Sequence, residues 1–430
     1  MQAQPKGDMA NNSMKRIVVL AFLLFSSGTM LFAADQVTLT GKVTEATGKP
    51  LAHATVLVYH AGVKNGYSTF CPSCYIDCGK RALTNASGAF KVHNLSRDLW
   101  FELLVVHDGY SPEFVKKVDP AERPTSTVVL KVRQPVNEAT RVVRGHVEGP
   151  HGDPMRDAVV TPFAILAGSV SIYGTPEGLD PIAVTNEEGQ FELSYSKAVS
   201  KMALMIEARG MAPKFAVLPT GAERHTITVS NGALLRGRVV KNGKPVGGIE
   251  IGLNPRRPWR GGPGLTVTRS VYDEIRIGTR EDGSFAIPNV PAPEDWEIYG
   301  KMESIAPRGA INPVAVTTNH DDQEVNVGDI QIERGYRLQG KVVLSDRKQI
   351  ADGMRIFISS DTARDVQSAL LSTDGTFGFL GLAAGNYTLW ASVKGYKVPK
   401  DNGGLHVSIN RDVRSFHVLL RPVSMDSIQH

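Results

Sequence analysis

The sequence lacks the short motifs by which the common hydrolases and nucleotide-binding enzymes are recognised. It contains no His-Glu-x-x-His or His-x-x-Glu pattern, no Gly-x-Ser-x-Gly nucleophile turn and no Gly-Lys-Ser/Thr phosphate loop. Its carboxylates lie singly along predicted strands and turns, so they do not suggest the paired acids of a glycosidase. We therefore expect a protein that is not an enzyme and that has no cofactor.

A strong charge bias and long amphipathic helices are also missing. The formal net charge is +5 over 430 residues, which is too small to indicate nucleic acid as a partner. The 42 glycines and 25 prolines are spread along the chain instead of forming a low-complexity tract. Glycine and proline used in this way punctuate turns, so the composition predicts many short strands divided among three or four domains.

Residues 1–34 are typical of an export signal. Lys15 and Arg16 form a basic segment, and residues 17–25 form an apolar run of suitable length. The segment is either a cleaved signal peptide or an uncleaved N-terminal anchor, which would be the chain's means of contact with a membrane. No cysteine follows the apolar run, which argues against a lipoprotein anchor. We predict a secreted, periplasmic or cell-surface protein.

The most informative feature that is present is a repeated turn. It has the form Thr-Asn-x-x-Gly-x-Phe, with Arg replacing Asn in the third copy and a shortened fourth copy that begins Thr373-Asp374-Gly375. The copies occupy residues 84–90, 185–191, 279–285 and 373–377. The Thr and Asn or Asp side chains are expected to cap the turn, Gly to reverse the chain, and Phe to enter the core at the next strand. Such a period indicates an array of similar domains.

Each copy of the turn belongs to a unit with further shared positions. The unit opens with a Gly-x-Val strand at Gly41, Gly145, Gly237 or Gly340, and a Gly-x-Pro turn follows in the first three units. Alternating apolar residues then predict strands that face one core. The predicted domains are residues 35–134, 140–231, 232–333 and 335–423, with a tail at 424–430. Trp100 and Trp390 fall within strand patterns and are expected in the cores.

The order of these elements resembles carboxypeptidase regulatory-like domains. The fourth unit carries Leu382, Gly385, Tyr387 and Leu389 at the positions that such domains share. The resemblance implies a transthyretin-like (prealbumin-like) sandwich, and therefore an all-β tandem array of about four small Greek-key β-sandwiches. It also implies a secreted or envelope protein with accessory or stalk modules, and related sandwiches bind starch or other glycans.

The three cysteines, Cys71, Cys74 and Cys78, lie in an insertion of the first unit. In an oxidising compartment two of them are expected to form a disulfide, with Cys78 as one partner in the less strained pairings. A zinc site that recruits His60 or His107 and a redox pair are the alternatives. Metal ligation and disulfide bonding thus remain competing interpretations of the same three residues.

A basic aromatic loop is the second candidate site. It contains Arg256, Arg257, Trp259 and Arg260 among prolines and glycines, which predict an exposed loop. The loop either binds an anionic polymer or a sugar through Trp259, with Tyr75 as a second aromatic contact, or is a solvated hairpin tip. The leading hypothesis is a structural, adhesive or protein-binding envelope protein. A carbohydrate-binding protein is the alternative, so the expected partners are polysaccharide or other envelope proteins, and a thiol or metal activity ranks third.

Overall fold

The computed structural model describes residues 36–65, 75–168, 170–257, 259–262, 265–267, 275–363, 365–398 and 404–423. Strands dominate these residues, which confirms the predicted all-β array of sandwiches. The predicted export segment, residues 1–34, lies outside the described part of the chain. None of the helices in the described ranges combines the length and the apolar character that a membrane crossing needs.

The first two sandwiches each consist of two facing sheets. The first contains β1 (Gln36–Glu45), β2 (Thr55–Val63), β3 (Arg81–Leu83), β4 (Ala89–Ser96), β5 (Leu99–Val106), β6 (Tyr110–Ser111), β7 (Glu113–Val118) and β8 (Thr125–Val132). After a short 3₁₀ helix (Ala139–Arg141), the second contains β9 (Val142–Glu148), β10 (Val159–Ala167), β11 (Val170–Tyr173), β12 (Ala183–Val184), β13 (Gln190–Ser194), β14 (Lys201–Glu207), β15 (Lys214–Pro219) and β16 (Arg224–Thr228). Their sheet orders are β4-β1-β8-β6 with β3-β2-β5-β7, and β13-β9-β16 with β11-β10-β14-β15, where β12 also pairs with β10.

The third and fourth sandwiches repeat this plan. The third contains β17 (Ala233–Lys241), β18 (Lys244–Pro245), β19 (Glu250–Pro255), β20 (Trp259–Gly262), β21 (Leu265–Val267), β22 (Arg276–Gly278), β23 (Ser284–Val290), β24 (Glu294–Gly300), α1 (Met302–Ile305), β25 (Val314–Thr318) and β26 (Glu324–Gln331). The fourth contains β27 (Tyr336–Leu344), β28 (Arg355–Ser360), β29 (Val366–Leu370), β30 (Thr376–Leu382), β31 (Gly385–Ser392), β32 (Tyr396–Lys397), β33 (Leu405–Ile409) and β34 (Val413–Pro422). Their second sheets have the orders β22-β19-β24-β25 and β29-β28-β31-β33.

In every sandwich the first and last long strands lie side by side and run parallel. The pairs are β1 with β8, β9 with β16, β17 with β26, and β27 with β34. The remaining strand pairs in these sheets are antiparallel. Sequence patterns show where strands lie, but they do not show which strands that are distant in the chain pair with each other. The parallel pairing is therefore a finding of the structure.

The Gly-x-Val glycine and the turn phenylalanine of each unit are cross-strand partners. Gly41 pairs with Phe90, and Gly340 pairs with Phe377, with equivalent pairs in the middle sandwiches. A Cβ atom built on Gly340 would approach the backbone oxygen of Phe416 to 2.2 Å and the Phe377 ring to 2.7 Å. Any larger residue would therefore push the phenylalanine out of the core or separate the parallel strands.

The repeated turn folds as its residue types predict. Gly88 has φ of +71°, a conformation that glycine adopts without steric cost. Asn85 Oδ1 accepts hydrogen bonds from the backbone N–H groups of Ser87 and Ala89, both at 3.0 Å. The buried Thr84 hydroxyl accepts a bond from Ala54 N–H at 2.8 Å, which ties the turn to the second strand. The predicted capping roles of Thr and Asn are confirmed in this sandwich.

The fourth turn is full length, and its description as a shortened copy was wrong. Leu371, which is buried, occupies the position of Thr84, and its N–H donates to Met354 O as the Thr84 N–H does to Ala54 O. The Ser372 N–H then donates a hydrogen bond to the Thr376 backbone oxygen, as the Asn85 N–H does to the Ala89 backbone oxygen. An apolar side chain replaced the threonine that marks the other turns, so the pattern was not visible in the sequence.

We predict that Gly340→Ala destabilises the fourth sandwich by about 2 kcal/mol, the usual cost of forcing extra volume into a packed core. Gly378→Ala in the same sandwich is the matched control, because a Cβ there meets nothing closer than Gln339 Cγ at 3.8 Å. Its expected change is about 0.5 kcal/mol or less. Urea denaturation monitored by tryptophan fluorescence measures both. Equal losses in the two variants would contradict the steric role of Gly340.

Candidate functional site

The cysteine insertion is partly described. Cys78 is 2% exposed, belongs to the first core and carries a free thiol. Burial raises the pKa of this thiol, which disfavours the reactive thiolate. Cys71 and Cys74 lie outside the described residues. The disulfide, metal and redox interpretations of the three cysteines therefore stay predictions, and the free Cys78 thiol gives no support to a disulfide that includes it.

The two histidines proposed as additional metal ligands have other partners. His60 Nδ1 lies 2.9 Å from Glu102 Oε2 on the neighbouring strand, and both side chains are largely buried. His107 contacts the backbone oxygens of Asp108 and Ala52 at 2.7 and 3.0 Å. In the described ranges, His, Cys, Asp and Glu form no group of three suited to a metal ion. The zinc interpretation would thus depend on residues whose positions are not described.

The basic aromatic loop forms the β20–β21 hairpin, and Trp259 does not project freely from it. Its ring centroid lies 5.3 Å from that of Phe215 and 6.2 Å from that of Phe163, both in the second sandwich. Arg256 and Arg257 are exposed, and Arg257 lies 3.5 Å from an Asp295 carboxylate oxygen. The side chain of Arg260 lies outside the described part of the chain. The proposed ligand-binding tryptophan is therefore half-buried at a joint between sandwiches.

Tyr75, the second aromatic proposed for ligand contact, is half-buried against the first core. Its backbone oxygen accepts a hydrogen bond from Cys78 N–H at 3.0 Å. The structure does not bring Tyr75 together with Trp259, because each lies against a different hydrophobic cluster. Ligand contact by either residue stays a prediction.

The contact regions between consecutive sandwiches, which we call joints, hold the most extensive side-chain contacts that we find in the described part of the chain. For clarity, we call the outer side of the second sheet of each sandwich its outer face. In the first sandwich this face carries Leu57, Tyr59 and Leu104, which pack against Val159 and Ile182 of the second. Arg81 and Asp157 add an ion pair of 2.7 Å across the same joint. The outer face of the first sandwich is therefore covered by the second.

The second joint follows the same rule. Phe163 and Phe215 lie on the outer face of the second sandwich, and Trp259 of the third covers them. Asn289 of the third sandwich donates from Nδ2 to the backbone oxygens of Gly210 and Asn231, at 2.7 and 2.8 Å. These bonds tie the third sandwich to the β14–β15 connection of the second and to the segment between β16 and β17.

The third joint contains a buried ion pair. Lys301 Nζ lies 2.7 Å from Asp365 Oδ1, and the Asp365 side chain is fully buried. Met302 N–H also donates to Asp365, at 2.5 Å, and the Met302 side chain joins the fourth core. Nearby, the Asn254 side chain donates to the backbone oxygen of Ala363. The third and fourth sandwiches therefore share both a hydrophobic contact and a satisfied buried charge pair.

Burial also affects Glu250, which lies at the start of β19 close to this pair. Removal from water raises the pKa of its carboxyl, while Arg276 and Lys301 oppose the rise. Glu250 Oε1 lies 3.6 Å from Arg276 Nη1. Sequence reasoning missed Lys301, Asp365 and Glu250 because none of them belongs to the repeated motifs, and 64 residues separate the two partners of the pair.

Among the known protein families, one model matches part of this chain, in the fourth sandwich. Residues 334–417 match the family model of the BOS complex subunit NOMO1-like second β-sandwich domain. The match covers less than half of the chain and supports a β-sandwich domain protein. It does not confirm the carboxypeptidase regulatory-like label. A search of curated proteins finds no match.

Solved structures give weak similarities. The Bacillus anthracis TIE protein is 12% identical, covering 90% of this chain and 75% of that one, with a TM-score of 0.19. A streptococcal ancillary pilin is 13% identical over 66% of this chain and all of its own, with a TM-score of 0.22. BcpA, the major pilin subunit of Bacillus cereus, is 11% identical over 69% and 100%, with a TM-score of 0.18. Similarities this low carry no functional argument.

We predict that Trp259→Ala lowers the free energy of unfolding by about 2 kcal/mol, because it removes the ring that covers Phe163 and Phe215. Trp259→Phe keeps an aromatic contact and is expected to lose less than about 1.5 kcal/mol. Urea denaturation provides the measurement. If Trp259 instead binds a sugar, the alanine variant will lose binding on a glycan array and keep its stability.

We predict that Lys301→Ala costs about 3 kcal/mol or more, because it leaves the Asp365 carboxylate buried without its cation. Lys341→Ala is the matched control, since Lys341 pairs with Asp374 at 3.6 Å on an exposed surface. The control is expected to cost less than about 1 kcal/mol. Calorimetry and urea denaturation of both variants test the difference. A small effect for Lys301→Ala would show that the joint does not depend on this pair.

Proposed function

We propose that this chain is a non-catalytic structural protein of the cell envelope, in which four sandwiches locked in series serve as a scaffold for adhesion or protein interaction. The observation that carries this proposal is that each of the first three sandwiches packs against the next one at a joint. Tethered domains that act independently need little contact with their neighbours, whereas these sandwiches share hydrophobic, hydrogen-bonded and ionic contacts.

The short connections support the same interpretation. β16 ends at Thr228 and β17 begins at Ala233, while β26 ends at Gln331 and β27 begins at Tyr336. Connections of this length cannot act as flexible spacers. Together with the packed joints, they restrict the motion of one sandwich against the next. A protein that must keep a fixed spacing between attachment points requires this restriction.

Export is the second part of the proposal, and the apolar run at residues 17–25 after Lys15 and Arg16 supports it. We predict that the full chain, expressed in a bacterial host and fractionated, is recovered outside the cytoplasm. A Val19→Arg, Leu23→Arg double variant should remain in the cytoplasm, because two charges disrupt the apolar run. The Val19→Leu, Leu23→Val variant keeps the run and is the matched control. Cytoplasmic recovery of the unaltered chain would contradict export.

The structural role is tested separately from export. Cells that lack the chain are expected to show altered attachment or envelope permeability, and the unaltered chain should restore both. A Lys301→Ala chain, if exported in equal amount, should restore them less well because its third joint is weakened. Unchanged attachment and permeability in the deleted cells would contradict the structural role.

A further inference from the structure

The fourth sandwich carries an aromatic pair on its outer face. The rings of Phe357 on β28 and Trp390 on β31 are stacked, with centroids 5.4 Å apart and an angle of 9° between their planes. Both are half-buried, whereas their neighbours Ile356, Ile358 and Leu389 are fully buried in the core. The expectation that Trp390 is a core residue was wrong, since strand alternation points Leu389 inward and Trp390 outward.

This pair occupies the position of a known joint contact. Phe357 pairs with Trp390 across β28 and β31 just as Leu57 pairs with Leu104 across β2 and β5. In the first sandwich, that position is covered by the second sandwich. Neither Phe357 nor Trp390 belongs to a hydrophobic cluster of the described residues. The fourth sandwich thus presents an outer-face pair equivalent to the one through which the first sandwich contacts the second, with no described partner on it.

The covering residues also come from one place in the fold. They lie in or beside the connection that follows the first strand of the covering sandwich's second sheet (β10, β19 or β28) and leads to the short strand that pairs with it (β12, β22 or β29). The second sandwich uses Ile182, the third Trp259, and the fourth Ala363 with Asp365. The first sandwich has the same connection, and its described part presents two exposed apolar side chains, Ile76 at 91% and Leu83 at 62% exposure. Neither residue belongs to a hydrophobic cluster of the described residues, although Arg81 between them pairs with Asp157 of the second sandwich.

We propose that the outer face of the fourth sandwich binds the first sandwich of a second copy of this chain, through Phe357 and Trp390 on one copy and Ile76 and Leu83 on the other. The two surfaces differ, so the contact is head-to-tail and can continue from copy to copy. A stacked aromatic pair provides the central apolar anchor that such an interface needs. This inference specifies the partner in the protein-interaction role proposed above and rests on that proposal.

Sedimentation velocity on the full chain over a series of concentrations tests self-association. The average mass should rise with concentration, and Trp390→Ser should weaken the association at least about tenfold. Leu419→Ser is the matched control, because Leu419 is 45% exposed on the other sheet of the same sandwich. It should associate like the unaltered chain. Equal behaviour of the two variants would overturn the assignment of the face.

A mixing experiment tests the head-to-tail arrangement. The Ile76→Asp, Leu83→Asp variant keeps the fourth-sandwich face, and the Trp390→Ser variant keeps the first-sandwich surface. Neither variant should associate alone, whereas an equimolar mixture should form one-to-one dimers that do not grow further. Circular dichroism confirms that each variant is folded. A mixture that stays monomeric, or an unaltered chain that is monomeric throughout, overturns self-association, while the envelope role is decided by the deletion experiment.

Discussion

The contact between a strand glycine and a turn phenylalanine is the constraint on which each sandwich depends. The glycine has no side chain, so the phenylalanine ring can lie over it and the last strand can approach in parallel. The same ring fills the core between the sheets. One pair of residues therefore sets the register of the turn strand, the distance of the last strand and the filling of the core.

The joints use a different principle from the cores. Within the sandwiches the contacts are repeated, but the three joints differ in chemistry: aliphatic packing with an ion pair, aromatic packing with amide hydrogen bonds, and a buried ion pair with an inserted methionine. Different contacts at equivalent places favour the packing of each sandwich on its neighbour in the chain over mismatched packing, which would leave Asp365 or Asn289 without partners.

The sequence predicts the sandwiches well and the joints poorly. Thr84, Gly88 and Phe90 were recognisable because turn conformation and core entry demand particular residue types at fixed spacing. Trp390 was wrongly expected in the core, because in a strand with apolar residues on both faces the sequence does not show which face a tryptophan lies on. Lys301 and Asp365 were invisible because a contact between distant residues leaves no local periodicity. Only the three-dimensional arrangement shows that the cysteine insertion and the Trp259 hairpin are equivalent connections.

The parallel pairing of first and last strands has a mechanical consequence. Because β1 and β8 run parallel, the chain enters the first sandwich at one end of this strand pair and leaves it at the opposite end. Tension applied through the ends of a sandwich would therefore pull the two strands lengthwise past each other and load all the hydrogen bonds between them at once. In an antiparallel pair at the same place, the same tension would break the hydrogen bonds one after another. The sandwich can therefore extend only after the two parallel strands have been sheared apart, and this resistance suits an element that carries load.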